Sequence, residues 1–228
     1  MLKLQSNVRR LMIAGASLAA LAACSPQASE TAETAETAAP AETAEAVKAE
    51  EPVEITVPSG VYVAEKNHAY ITASYNHLGF SRPTLTFTGF DATLNFDAED
   101  PSKSTVEATV SLTTLDTGVE VFEEHIRGEN FFDAASFPEA TFKSTSVEVT
   151  GAKTGTMTGD LTIKGVTKPV TFDIELRGAG DSPMTQKPHL GFAAHTTILR
   201  SDFNAGAYAP AVSDEVEINI EIEFDPAE

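Results

Sequence analysis

Residues 216–224 read Val216-Glu217-Ile218-Asn219-Ile220-Glu221-Ile222-Glu223-Phe224, a strict alternation of apolar and polar side chains. Because successive side chains of a β-strand point to opposite faces, this stretch predicts a strand with one buried and one solvated face. The same alternation occurs in residues 105–112 and 170–177. Shorter versions occur at residues 70–75, 84–87, 92–96, 141–149, 156–163 and 191–199. The pattern predicts an all-β domain.

Turn-forming residues separate these predicted strands at 100–102, 150–153, 164–166 and 178–181. Residues 119–130 (VEVFEEHIRGEN) predict the one helix, because Val119, Phe122 and Ile126 recur at helical spacing and Gly128 and Asn130 would end it. About eight antiparallel strands, each apolar on one face, commonly bury those faces in one of two architectures, a closed barrel or a two-sheet sandwich. Periodicity alone does not choose between them.

The N-terminal 23 residues have the features of a secretory signal. Lys3, Arg9 and Arg10 precede a short apolar run at 11–23, which ends in Leu21-Ala22-Ala23-Cys24. This end resembles the bacterial lipoprotein box, in which the cysteine is lipidated and becomes the new N-terminus. The alternative is a small-residue cleavage site that contains a cysteine. The resemblance predicts lipidation of Cys24 and export to the periplasm. Ser25 rather than an aspartate follows, which indicates the outer membrane.

Residues 24–57 are predicted to be a lipidated cysteine followed by a tether. Residues 25–57 hold eight glutamates, one lysine and no aromatic residue, within an imperfect Thr-Ala-Glu repeat. Such a segment cannot bury enough apolar area to offset its ordering entropy, so we predict that it is disordered. The alternative is a helix, since alanine and glutamate favour helices. The folded domain is predicted to occupy residues 58–228.

The charge of the chain excludes one class of partner. It carries 15 Lys and Arg against 34 Asp and Glu, a formal net charge of −19. A nucleic-acid-binding surface needs basic side chains to neutralise phosphates, so no nucleic-acid partner is expected. The single cysteine, Cys24, excludes an intrachain disulfide. The chain has no apolar run of the roughly 20 residues that a membrane-spanning helix requires.

Six sequence blocks, in order, resemble the YceI-like family of bacterial lipid-binding (polyisoprenoid-binding) proteins. They cover the domain from about residue 59 to 225, and the most recognisable of them is GDLTIKGVTKPV at 159–170. The other blocks lie at 76–81 (NHLGFS), 87–97 (FTGFDATLNFD), 125–133 (HIRGENFFD), 137–142 (FPEATF) and 200–203 (RSDF). Two positions depart from the family pattern: Asn204 stands where glycine is frequent, and residues 115–118 run into a Val-Glu-Val helix start.

The resemblance implies a lipocalin-like antiparallel β-barrel of about eight strands with a hydrophobic tunnel. It also implies a ligand of the isoprenoid, quinone or fatty-acyl type and no catalytic residue. Beside an unrecognised hydrolase, which would require a convergent Asp/His cluster in a cleft, two alternatives on the same fold remain at this stage. One is a quinone-linked redox or stress factor that works with a cytochrome partner. The other is a filled barrel that acts as a ligand-free interaction module. The sequence leaves open whether the barrel forms a homodimer.

The candidate ligand-binding residues are aromatic and basic. Arg200 shares strand parity with Phe192 and Ala194, so its side chain should face the apolar interior, where it either binds a polar head group or pairs with Asp202 or Asp133. Arg127 is a candidate head-group contact or a solvated residue at the helix end. His77 and His125 are candidates for the cavity rim or for structural hydrogen bonds. The aromatic candidates for cavity lining or core packing are Phe80, Phe87, Phe122, Phe131, Phe132, Phe142, Phe172 and Phe192.

The sequence shows no enzyme or metal signature. G-x-S-x-G, P-loop and G-x-G-x-x-G patterns are absent. The five histidines lie at 68, 77, 125, 189 and 195, with no His-x-His or HExxH spacing. We therefore predict a non-enzymatic protein without cofactor or metal, although histidines that are distant in the chain can still meet in the fold.

Overall fold

The computed structural model describes residues 55–228. Cys24, the predicted signal and nearly all of the predicted tether lie outside these residues. The described part holds ten strands and one α-helix. Their bounds are β1 Gly60–His77, β2 Thr84–Phe87, β3 Phe90–Phe96, β4 Thr105–Ser111, β5 Leu115–Asp116, α1 Glu120–Arg127, β6 Glu139–Val149, β7 Thr154–Ile163, β8 Val166–Asp181, β9 Pro188–Leu199 and β10 Val212–Pro226.

Eight of the strands close into an antiparallel barrel. Their order is β1-β10-β9-β8-β7-β6-β4-β3, and β3 pairs back onto β1, so the described sheet closes on itself. The two short strands β2 and β5 extend it, because β2 pairs with the second half of β1 and β5 pairs with β2. Because the sheet closes on itself, the domain is a barrel and not a two-sheet sandwich. The all-β, lipocalin-like prediction is confirmed.

The two ends of the barrel differ. At the end called here the helix end lie α1, the β1–β2 loop, the β7–β8 turn and the connection from β9 to β10. At the opposite end, called here the hairpin end, lie the β6–β7 and β8–β9 hairpins and the β3–β4 connection. Among residues 55–228, no helix has the length and apolar character needed to cross a membrane.

Most predicted turns are confirmed, and one is wrong. Lys164 and Gly165, at φ 51° and 74°, form a two-residue turn between the paired residues Ile163 and Val166. Residues 178–181, in contrast, continue strand β8. The register shifts between Leu176 and Gly178, and Gly178 pairs with Gly191 on β9. The glycines therefore accommodate an irregularity within the strand, and the chain turns later, at 182–187.

The predicted helix is shorter than its sequence pattern. It spans Glu120–Arg127, and the following residues turn back, with the Phe131 and Asp133 amides donating to the Gly128 carbonyl. Ile126 is its buried residue, 4% exposed, and it packs into the core at the helix end. Val119, which has the same spacing, is exposed.

Candidate ligand-binding cavity

A cavity of about 340 Å³ lies inside the barrel. All eight barrel strands contribute to its lining, and nearly all of the lining side chains are apolar. Every second residue of β4 faces it, namely Val106, Ala108 and Val110. On β10 the same holds for the even-numbered residues from Val216 to Phe224. The volume falls within the roughly 300–1,000 Å³ that is typical of small-molecule sites.

Small side chains explain why the barrel is hollow. Five alanines of the barrel strands face the lumen: Ala73, Ala92, Ala108, Ala140 and Ala194. Two of them are direct partners, because Ala92 on β3 pairs with Ala108 on β4. An eight-stranded barrel is just wide enough for larger side chains to fill it, so methyl groups at these positions leave space for a ligand.

The cavity is closed at the helix end. Ile126 of α1 lines it there, together with Phe203 and Ala205 from the connection between β9 and β10. Phe203 is 2% exposed, and all three residues are buried. This end is therefore a packed plug.

The hairpin end is where the cavity reaches the surface. Its lining includes residues of the β6–β7 hairpin that are exposed to solvent, among them Val149, Lys153 and Thr154. Pro101 and Ser104 of the β3–β4 connection line the same region, as does Ile55. A ligand would enter and leave between these segments.

Six of the eight predicted phenylalanines line the cavity: Phe87, Phe131, Phe132, Phe142, Phe172 and Phe192. Phe142 and Phe172 meet edge to face, with ring centroids 5.2 Å apart. Phe122 is absent from the lining and packs against the surrounding core. Phe80 is 90% exposed in the β1–β2 loop, so its assignment to the cavity needs correction. The family block at 76–81 that contains Phe80 covers the β1–β2 loop, so its side chain does not belong to the inner face of a strand.

Arg200 reaches the cavity wall but makes no ion pair with any residue of the described range 55–228. Its Nε donates to Ser213 O at 2.9 Å, its Nη1 to Ala205 O and Ala207 O, and its Nη2 to Val212 O and Ser213 O. All five guanidinium N–H groups are thereby satisfied by backbone carbonyls. Neither the head-group role nor the pairing with Asp202 or Asp133 matches this geometry. Burial lowers the pKa of the guanidinium, and the Asp214 carboxylate opposes that shift.

Arg127 and the two histidines lie outside the cavity lining. Arg127 donates to Leu115 O at 2.9 Å and to Glu123 Oε2 at 3.0 Å, so it ties α1 to β5. Glu123 accepts from the Thr117 amide, which together with Arg127 lowers the pKa of that carboxyl. His125 is exposed and stacks edge to face on Phe131. The backbone of His77 pairs with Ser81 in the β1–β2 loop.

Sequence reasoning missed Tyr75 as a polar group of the cavity. It lies on β1 with the parity of Ile71 and Ala73, lines the cavity and is buried. Among residues 55–228, no group forms a hydrogen bond with its hydroxyl, although the Tyr62 hydroxyl does have a backbone partner. Burial raises the pKa of the Tyr75 phenol, so it stays a neutral donor. The parity within residues 70–75 was the available signal.

The sequence of this chain is similar to those of known proteins. The model of the YceI-like domain matches residues 62–224. The protein YceI of Salmonella arizonae is 40% identical over 159 residues, which cover 70% of this chain and 82% of that protein.

Two solved structures resemble the fold. The crystal structure of Burkholderia cenocepacia BcnA aligns with a TM-score of 0.64 at 25% identity, covering 70% of this chain and 98% of that one. A polyisoprenoid binding domain from Saccharophagus degradans aligns with a TM-score of 0.56 at 10% identity, covering 74% and 99%. At that identity the second likeness concerns the fold alone.

Proposed function

The chain belongs to the YceI-like domain family, and from this premise we propose that its barrel binds a long-chain isoprenoid or a related amphiphilic lipid. The protein would act by binding and carriage, without catalysis. The observation that carries the proposal is the apolar cavity of about 340 Å³, closed at the helix end and open at the hairpin end. The name of the Saccharophagus degradans domain, which binds polyisoprenoid, agrees with this ligand class.

Burial of hydrocarbon supplies the affinity. Each CH₂ group that leaves water contributes about 0.8 kcal/mol, so a chain of many carbons offsets the cost of ordering it. Cavity length and the few polar groups in its wall would set the specificity. A solid core would have favoured the ligand-free interaction module, and the cavity argues against that alternative.

The N-terminal region supports a proposal about location that rests on sequence alone. Lipidation of Cys24 would anchor the protein at the outer membrane on its periplasmic side. The acidic tether of about 33 residues would then give the barrel a reach on the order of 30 Å from the membrane surface.

Native mass spectrometry of the full chain, followed by organic extraction, tests the ligand class. We expect a bound species that extracts as a polyprenyl or quinone lipid. A protein that remains free of ligand after incubation with membrane lipids would contradict the proposal.

Tyr75 favours one second candidate, a quinone ligand on the same fold. A quinone carbonyl could accept the unpaired phenol hydrogen, and such a ligand would imply a redox partner such as a cytochrome. We expect Tyr75→Phe to weaken binding of a long-chain quinone by about 3–10-fold, the worth of one hydrogen bond. Binding of a polyprene without oxygen should not change. Titration of both ligands by calorimetry or with an extrinsic fluorescent probe measures the difference. Equal quinone affinities of the parent and of Tyr75→Phe would exclude the quinone contact.

A further inference from the structure

The strands that close the barrel, β1 and β10, carry a wide bulge. Ala64 pairs with Phe224 and Ala69 pairs with Ile222, so residues 65–68 of β1 stand opposite the single residue Glu223 of β10. A bulge turns side chains out of the regular alternation. Here it brings Glu65 and His68, three residues apart, to the same place as Glu223 on the outer wall of the barrel.

The ligating atoms of these three residues form a compact group. All lie within 4.8 Å of one another. His68 Nδ1 is 2.6 Å from Glu65 Oε2 and 3.7 Å from Glu223 Oε2. The other oxygen of Glu65 accepts from the Asn67 backbone and side chain, which turns Oε2 towards His68.

A second histidine positions Glu223. His189 Nε2 lies 2.9 Å from Glu223 Oε2, and its Nδ1 lies 2.9 Å from Asp225 Oδ1. The Asp225–His189–Glu223 chain therefore holds the Glu223 carboxylate through Oε2, the same oxygen that lies 3.7 Å from His68 Nδ1. Outer partners of this kind orient metal ligands in known sites.

Among residues 55–228, no lysine or arginine neutralises the cluster. Within the described residues, the ion pairs of Glu65, Glu223 and Asp225 all involve histidine. Lys66, which lies inside the bulge, pairs instead with Asp91. Three carboxylates thus share two histidines in a domain, 58–228, that has 11 basic and 26 acidic side chains. This place attracts cations.

We propose that Glu65, His68 and Glu223 bind one divalent transition-metal ion of the zinc class, with His189 as a positioning residue. Zinc lies about 2.0–2.2 Å from nitrogen and oxygen ligands, so ligand atoms around it stand roughly 3.3 Å apart. The distances from His68 Nδ1 to Glu65 Oε2, 2.6 Å, and to Glu223 Oε2, 3.7 Å, lie on either side of that value. One imidazole among the ligands favours zinc over magnesium or calcium, which take oxygen ligands. Three protein ligands leave a position for water.

The ion would join β1 to β10 where their pairing is interrupted. These strands begin and end the barrel, so the site would fasten the seam that closes it. The sequence predicted no metal site, because the ligands come from positions 65, 68 and 223 and meet only through the strand pairing.

Zinc chloride is the probe for the test. The full chain carries Cys24→Ser in every sample, so that the one thiol cannot bind the ion. Equilibrium dialysis with elemental analysis should give one zinc per chain with micromolar affinity. His68→Ala and Glu223→Gln should each weaken binding by more than tenfold. Saturating zinc should raise the Tm of the parent chain by about 5 °C or more and leave that of His68→Ala unchanged.

His195→Ala is the matched control. His195 is an exposed histidine on β9 that contacts Asn219, outside the cluster. Its replacement should leave zinc affinity and the Tm shift as they are in the parent. No binding below millimolar zinc would overturn the proposal, as would binding that survives His68→Ala. Because all of these side chains lie on the outer wall, circular dichroism should show the same fold in each variant.

Discussion

Ala194→Phe will displace the ligand from the barrel. Ala194 faces the cavity from the middle of β9, between its partners Ile174 on β8 and Ile220 on β10, which both line the cavity. A phenyl ring at this position occupies space that the alanine methyl leaves free. We expect ligand affinity to fall by more than tenfold, and the fraction of lipid-bound protein in native mass spectrometry should fall with it. Because the ring enters a cavity, the overpacking penalty should stay at or below about 1–3 kcal/mol.

Ala193→Phe is the control on the same strand. Ala193 pairs with Glu175 and Glu221 and faces the outer wall. Both alanines are half-buried, so the two substitutions differ mainly in the face that receives the ring. We expect Ala193→Phe to keep the affinity of the parent. If the two variants bind the lipid equally well, the ligand does not occupy the barrel interior.

Arg200→Ala will destabilise the domain strongly. The substitution removes five hydrogen bonds and leaves the carbonyls of Ala205, Ala207, Val212 and Ser213 without this donor. The carbonyls of Ala205 and Ala207 belong to the connection that closes the helix end, and those of Val212 and Ser213 belong to the start of β10. Hydrogen bonds to charged groups are individually worth more than neutral ones, so we expect the free energy of unfolding to fall by about 3–5 kcal/mol. Urea denaturation followed by circular dichroism measures it.

Arg177→Ala provides the comparison. Arg177 is an exposed arginine on β8 whose ion pairs with Glu175 and Glu221 lie in solvent. Such pairs contribute about 0–1 kcal/mol. A loss at Arg200 no larger than that at Arg177, combined with weaker ligand binding, would restore the head-group role that the sequence suggested.

Strand faces were readable from the sequence because a strand has a period of two. The parity of residues 216–224 correctly separated the cavity face from the outer face, and the parity of residues 191–200 correctly directed Arg200 inward. The same rule held for Phe172 and Phe192. Two predictions that did not rest on this rule were wrong: Phe80 lies exposed in a loop, and residues 178–181, predicted to be a turn, continue strand β8.

The sequence did not show which groups the inward-facing polar side chains would contact. Arg200 was expected to meet a carboxylate or a ligand, yet it binds carbonyls within 13 residues along the chain. That arrangement depends on how the connection from β9 to β10 folds back, which no local pattern encodes. Tyr75 was overlooked for a related reason, because an unpaired hydroxyl is visible only once all neighbouring donors and acceptors are in place.

The sequence by itself determined the class of the domain, the faces of its strands, the acidic surface and the family. These properties follow from local alternation, composition and short blocks of residues. Only the tertiary structure decided that the sheet closes as a barrel, that the lumen stays open at the hairpin end, and that Glu65, His68 and Glu223 meet. The physical reason is that closure and clustering depend on register between strands far apart in the chain, and register is set by the pairing of whole strands.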